Sequence, residues 1–109
     1  MKPNRRKIFC EEFNKSIAML GMNDWDIKFA EKPMKADDAN IEAFPDVRVA
    51  KVTLSTKCED DRIRLVARHE AGHLFLSHFR HLARARYVEE RELDMEEERL
   101  CTVLEKICF

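Results

Sequence analysis

Glycine and proline are scarce in this chain, at two and three residues among 109. That scarcity excludes flexible glycine-rich linkers and proline-rich recognition tracts, and no repeat or low-complexity tract stands out beyond the acidic cluster Glu96-Glu97-Glu98. No two of the four cysteines, Cys10, Cys58, Cys101 and Cys108, are spaced Cys-x-x-Cys. A structural zinc site built from thiolates is therefore not expected, and no disulfide framework is implied. No stretch approaches the length of a membrane span. The basic start Met1-Lys2-Pro3-Asn4-Arg5-Arg6-Lys7 is not followed by the apolar run of a secretory signal. Free thiols without an export signal lead us to expect a cytoplasmic protein. Neither sign of charge dominates, with 20 basic against 21 acidic side chains. Electrostatics thus gives no argument for a membrane surface, and nucleic acid is disfavoured as a partner.

What remains is an ordinary folding sequence, 45% apolar and 38% charged, long enough for one domain over residues 1–109. Residues 4–20 read as an amphipathic helix, with Phe9, Phe13, Ile17 and Leu20 at helical spacing, Asn4 as cap and Gly21 as stop. Trp25–Phe29 alternates apolar and polar, as a half-buried strand does. Residues 31–46 carry Pro33 and Pro45 and read mostly as loop, with a short strand around Ile41–Phe44. Arg48–Thr56 reads as a further strand with Ala50, Val52 and Leu54 on one face. Thr56-Lys57-Cys58-Glu59 has the form of a capping box. It predicts a long helix to about His78 or Arg80, apolar on more than one face and so the most buried element. The basic stretch Arg80–Tyr87 is expected to hold a turn. A last helix follows from about Val88 to Ile107, striped by Leu93, Leu100, Leu104 and Ile107.

In the middle of the long helix stands His69-Glu70-Ala71-Gly72-His73. At about 100° per residue, the two histidines lie about 40° apart on one face, so both imidazoles can reach one metal ion. Glu70 falls about 100° from His69, flanking such an ion as a base for its water. Val66, Ala67, Leu74, Phe75 and Leu76 surround the motif. A helix that buries two histidines and a glutamate in such company needs a reason for it. The bland alternative is a structural histidine pair beside a surface glutamate.

Catalytic zinc takes three protein ligands, so a third must come from elsewhere. On one continuous helix, His78 points about 140° away from His73, and His81 lies two turns further along. The acidic helix is the better source. Glu97 falls near the centre of the stripe set by Leu100, Cys101, Leu104, Ile107 and Cys108, Glu98 falls about 100° off it, and Asp94 and Glu96 sit at its margins. A carboxylate on a buried face is costly unless it meets a cation, which favours Glu97 over Glu98. Gly72, placed mid-helix at a cost of about 1 kcal/mol against alanine, suggests close approach of another element.

With these residues the chain resembles the zincins. It is most similar to the compact gluzincin-type metallopeptidases, in the minimal phage- and bacterium-associated forms related to the SprT-like and ImmA-type groups. The likeness covers the leading helix, the strand opened by Trp25, the strand Ala50–Thr56, the motif helix, and the last helix with Glu97-Glu98-x-Leu100-Cys101. It implies His69, His73 and Glu97 as zinc ligands and Glu70 as the group that activates water. The pentapeptide also matches AAA-type membrane proteases, but these 109 residues hold no ATPase module. The zinc ribbon or DNA-binding part of SprT-like proteins and the repressor-sensing part of ImmA-type proteins have no counterpart here, which leaves the subgroup open.

The expectation is an α+β, zincin-like domain: a small, mostly antiparallel sheet packed on an active-site helix and a C-terminal ligand-bearing helix. Its expected activity is that of a zinc-dependent metallopeptidase hydrolysing peptide bonds in a peptide or protein substrate, with Glu70 as general base. An extended substrate would pair with Ala50–Thr56 as an edge strand. Tyr87, His78 and His81 are open candidates for the oxyanion. Two alternatives stand beside this. One is a zinc-bearing interaction module with a non-competent cleft. The other is a protease acting on DNA-associated proteins, suggested by Arg62, Arg64, Arg68, Arg80, Arg84 and Arg86.

Overall fold

A computed structural model describes residues 4–84 and 89–107, with the backbone alone for His78 and Ile107. It has an α+β architecture: α1 (Arg5–Met19), β1 (Asp26–Lys32), β2 (Ala39–Phe44), β3 (Val49–Ser55), a single 3-10 turn over Asp60–Arg62, α2 (Ile63–Arg84) and α3 (Glu90–Ile107). The first helix starts where its cap allows, since Asn4 Oδ1 accepts from the Lys7 amide at 3.1 Å. It stops at Gly21, whose φ of 75° is the left-handed conformation that closes helices.

The sheet is mixed, in the order β1-β3-β2, with β1 parallel and β2 antiparallel to β3. This corrects two expectations. The sheet is not mostly antiparallel, and Ala50–Thr56 is not an edge: β3 is the central strand. The reason lies in composition. Ala50, Val52, Thr53, Leu54 and Ser55 are all buried, so β3 is covered on both faces. The flanking strands carry Lys28, Glu31, Asn40 and Glu42, the charged and polar residues that suit free edges. Phe29 and Ile41 both stand opposite Val52 in the register. Phe29 also meets Phe9 and Phe13 of α1 edge to face, at 6.3 and 5.6 Å between ring centroids.

Val66, Ala67, Ala71 and Leu74 of α2 complete the core with α1 and the sheet. Burying three such side chains as Phe13, Leu54 and Leu74 contributes about 1.5–3 kcal/mol each. Glu12 and Arg68, 2.8 Å apart, tie α1 to α2 at the margin of this core. The capping box does not form: Glu59 caps the 3-10 turn without a side-chain bond, and Ser55 Oγ takes the Lys57 amide instead. The long helix therefore begins at Ile63. It runs on through Arg84, past the expected end, so the first part of the Arg80–Tyr87 stretch is helical. Nor is it buried all round, since Phe75, Phe79 and Leu82 are exposed along one side. Tyr87, Arg86 and Cys108 lie outside the described residues. Among those described, no helix is long and apolar enough to cross a membrane.

Candidate metal centre

Helix α3 packs closely on α2 at Gly72: a Cβ built there would lie 3.1 Å from Cys101 Sγ and 3.3 Å from its Cα. The glycine thus admits the helix that carries the carboxylates, as its mid-helix placement suggested. Across this contact α3 brings Glu97, Glu98 and Glu105 onto the two motif histidines. The imidazole rings stand 4.9 Å apart between centroids, nearly edge to face.

Each ring nitrogen faces a different oxygen. The Nε2 atoms converge on Glu98, at 3.0 Å for His69 and 2.7 Å for His73. The Nδ1 atoms point the other way, His69 to Glu105 at 2.8 Å and His73 to Glu97 at 2.7 Å. Glu97, the ligand expected from sequence, therefore lies behind the His73 ring, where Arg80 also approaches it at 3.6 Å. Glu98, set aside in the sequence for lying off the buried stripe, occupies the place between the two Nε2 atoms. Its side chain is 58% exposed, against 13% for Glu97. Donor atoms of His69, His73 and Glu98 all lie within 4.8 Å of one another.

A neutral imidazole has one N–H and one lone pair, and a carboxylate only accepts. Once Nδ1–H is given to Glu97 or Glu105, the lone pair of Nε2 faces the oxygens of Glu98. Something positive, a proton or a metal cation, has to stand between them. Two imidazole nitrogens and one carboxylate are also the donor set of hydrolytic zinc sites, so the residues present fit that ion.

The electrostatics agree with a cation-seeking site. Burial would lower the pKa of His73, but hydrogen bonds to Cys101 and Glu97 raise it to about 11. The proton thus takes the cationic role on that ring. Glu70, only 7% exposed, goes the opposite way from an ordinary carboxylate. Burial pushes its pKa up to about 7, with His73 and His69 opposing and Glu98 and Asp37 reinforcing the rise. The Cys101 thiol is raised by burial and stays protonated at neutral pH.

These groups open onto a cleft of about 790 Å³ between β2, α2 and α3, lined among others by Ala39, Ile41, Ala43, His69, Glu70, His73, Glu97, Glu98 and Glu105. No protein-family model and no curated protein matches the chain. The cleft therefore has to be read on its own chemistry.

One wall is a free strand edge. The Ser55 amide donates to the Asp38 carbonyl, which sets the phase of the antiparallel ladder. Alternate residues of such a strand turn their backbone groups toward the partner and away from it. By that phase Ala39, Ile41 and Ala43 direct their N–H and C=O outward, on the side that lines the cleft. Of the remaining candidates, His81 lines the cleft and lies 3.9 Å from Asp46. The oxyanion candidates Tyr87 and the His78 side chain fall outside what is described. Four of the arginines that suggested DNA are already paired: Arg62 with Asp38, Arg68 with Glu12, Arg80 with Glu90 and Asp94, and Arg84 with Glu90.

Sequence reasoning missed Glu105 altogether. The signal was available: seven residues make almost two helical turns, which sets Glu105 about 20° from Glu98 on the same face.

Proposed function

We propose that the chain is a zinc-dependent peptidase of the zincin type, with His69, His73 and Glu98 as the metal ligands and Glu70 as the general base. The observation that carries this reading is the convergence of two Nε2 lone pairs and one carboxylate on a single point beside a buried glutamate. A zinc ion held there would supply the Lewis acid that polarises a carbonyl and makes water acidic enough to attack it near neutral pH.

The chain's own residues supply the rest. The outward backbone groups of Ala39, Ile41 and Ala43 bind an extended peptide as an added strand, the role that the sequence assigned to β3. That pairing lays the scissile bond along the cleft, next to the histidines. Glu70 accepts the proton of the attacking water and returns it to the amine as the C–N bond breaks. Its burial keeps bulk water from competing for that proton. A protein substrate bound to DNA is the weaker alternative, because four of the six arginines that suggested it, Arg62, Arg68, Arg80 and Arg84, are paired with carboxylates.

The test is metal content together with turnover. Purified protein should hold about one zinc per chain, as a single three-ligand set allows, and should cut extended peptides. Glu70→Gln should keep the zinc and lose about two to four orders of magnitude in rate. Protein that takes up no zinc at neutral pH refutes the reading. Zinc held without any peptide cleavage would leave the interaction-module alternative.

A further inference from the structure

Three carboxylates of α3 meet the two histidines, yet a tripod of ligands needs only one of them. The other two, Glu97 and Glu105, are both mostly buried, at 13% and 11% exposure, and both face Nδ1. Burial of a carboxylate is costly unless a specific partner compensates it, so their shared placement calls for a reason. Taking the zinc reading as its basis, we propose that Glu97 and Glu105 are a matched pair of positioning residues. Each holds one imidazole in the Nδ1–H form and turns its Nε2 lone pair toward Glu98.

The geometry is reciprocal. Glu105 approaches His69 from one side of Glu98 along α3, and Glu97 approaches His73 from the other. A single helix thereby sets the ligand carboxylate and both outer hydrogen bonds, so the three cannot drift independently. Arg80 fastens Glu97 in turn, through a 3.6 Å ion pair, and is itself paired with Glu90 and Asp94. The network runs from the C-terminal half of α2 to the metal face of His73. A histidine ligand whose second nitrogen is held in this way keeps its tautomer and ring orientation, and losing the partner typically weakens metal binding about 10–100-fold.

The test uses full-length protein, with zinc affinity measured by competition against a chromophoric chelator and ¹⁵N-labelled protein examined by NMR. Metal-free protein should show two downfield, slowly exchanging Nδ1–H signals. Glu105→Ala should remove the His69 signal, and Glu97→Ala that of His73. Each should weaken zinc about 10–100-fold while cobalt-substituted protein keeps the spectrum of a two-histidine, one-carboxylate site. Glu97→Gln and Glu105→Gln, whose amide oxygens still accept from Nδ1–H, should restore most of the affinity. They also keep the test decisive if an alanine variant fails to fold. Unchanged affinity in both alanine variants, or persistence of both Nδ1–H signals, overturns the positioning role while leaving the zinc reading intact. Intact Nδ1–H signals in wild-type protein that binds no zinc would overturn both. A cobalt spectrum that changes type in Glu97→Ala but not in Glu98→Ala would make Glu97 the ligand and end the pairing.

Discussion

Gly72→Ala tests whether the packing of α3 on α2 sets the geometry of the metal centre. In a free helix the change would gain about 1 kcal/mol of propensity. Here the added methyl would meet Cys101 Sγ at 3.1 Å, Cα at 3.3 Å and Cβ at 3.4 Å, where comfortable carbon–carbon separations begin at about 3.5 Å. The Sγ could rotate away, but Cα is backbone, so α3 must retreat by a few tenths of an ångström. Overpacking of this kind costs about 1–3 kcal/mol. Set against the propensity gain, a net loss of about 1 kcal/mol is expected, or roughly 4–6 °C in Tm for a domain of this size. The same retreat carries Glu98, one turn before Cys101, away from both imidazoles, so zinc affinity should fall along with stability. Urea unfolding with and without zinc measures both. Adding Cys101→Ala removes the nearest atom but leaves the backbone of residue 101 pressed against the new methyl. The double variant should therefore recover only part of the loss, read as a coupling energy in a double-mutant cycle. A Gly72→Ala protein that is more stable by the full propensity gain and binds zinc normally would refute the argument.

Other perturbations separate the roles of the acidic residues. Glu98→Gln should abolish stoichiometric zinc, because a neutral amide is a poor ligand, whereas Glu97→Gln should still bind one zinc per chain. The opposite pattern in elemental analysis would return the ligand role to Glu97. Ile41→Pro removes an outward N–H without touching the ladder to β3. It should slow peptide turnover more than it weakens zinc, while equal losses would mean that the cleft has collapsed. The metal-free protein should lose stability as pH rises from the ordinary carboxylate range through about 7. Folded Glu70 holds its proton up to about 7 and the unfolded chain does not. Glu70→Gln should flatten that part of the denaturant-midpoint profile, and an unchanged profile would remove Glu70 as its source.

Much of the architecture was legible because single side chains announce it. Asn4 and Gly21 bounded the first helix, and the alternation after Trp25 marked β1, which runs on to Lys32 rather than ending at Phe29. Strand order was not legible from alternation alone, which shows what is buried but not which neighbour covers it. The near-continuous burial of β3 from Ala50 to Ser55 did carry a trace in its composition. The acidic helix taught a sharper lesson. Glu97 was singled out because a buried carboxylate needs a cation, and the structure gives it His73 and Arg80. Burial located a partnered carboxylate, but a partner need not be a metal. The residue between the two Nε2 atoms is the exposed one, Glu98, which a search for buried carboxylates passes over. The continuation of α2 to Arg84 escaped notice because its support is tertiary: Arg80 and Arg84 reach across to Glu90 and Asp94.

Among the described residues of α3, Cys101 is the single apolar side chain that is fully buried, and the main core is built without it. A row of imidazole, guanidinium and carboxylate pairings ties this helix to α2. A cation bound between Glu98 and the two histidines, as proposed, would work as a clasp on the outer wall of the cleft. On the zinc reading, a chelator would undo the clasp long before it melted the sheet, and the outer wall of the cleft would loosen and become open to proteolysis in one event.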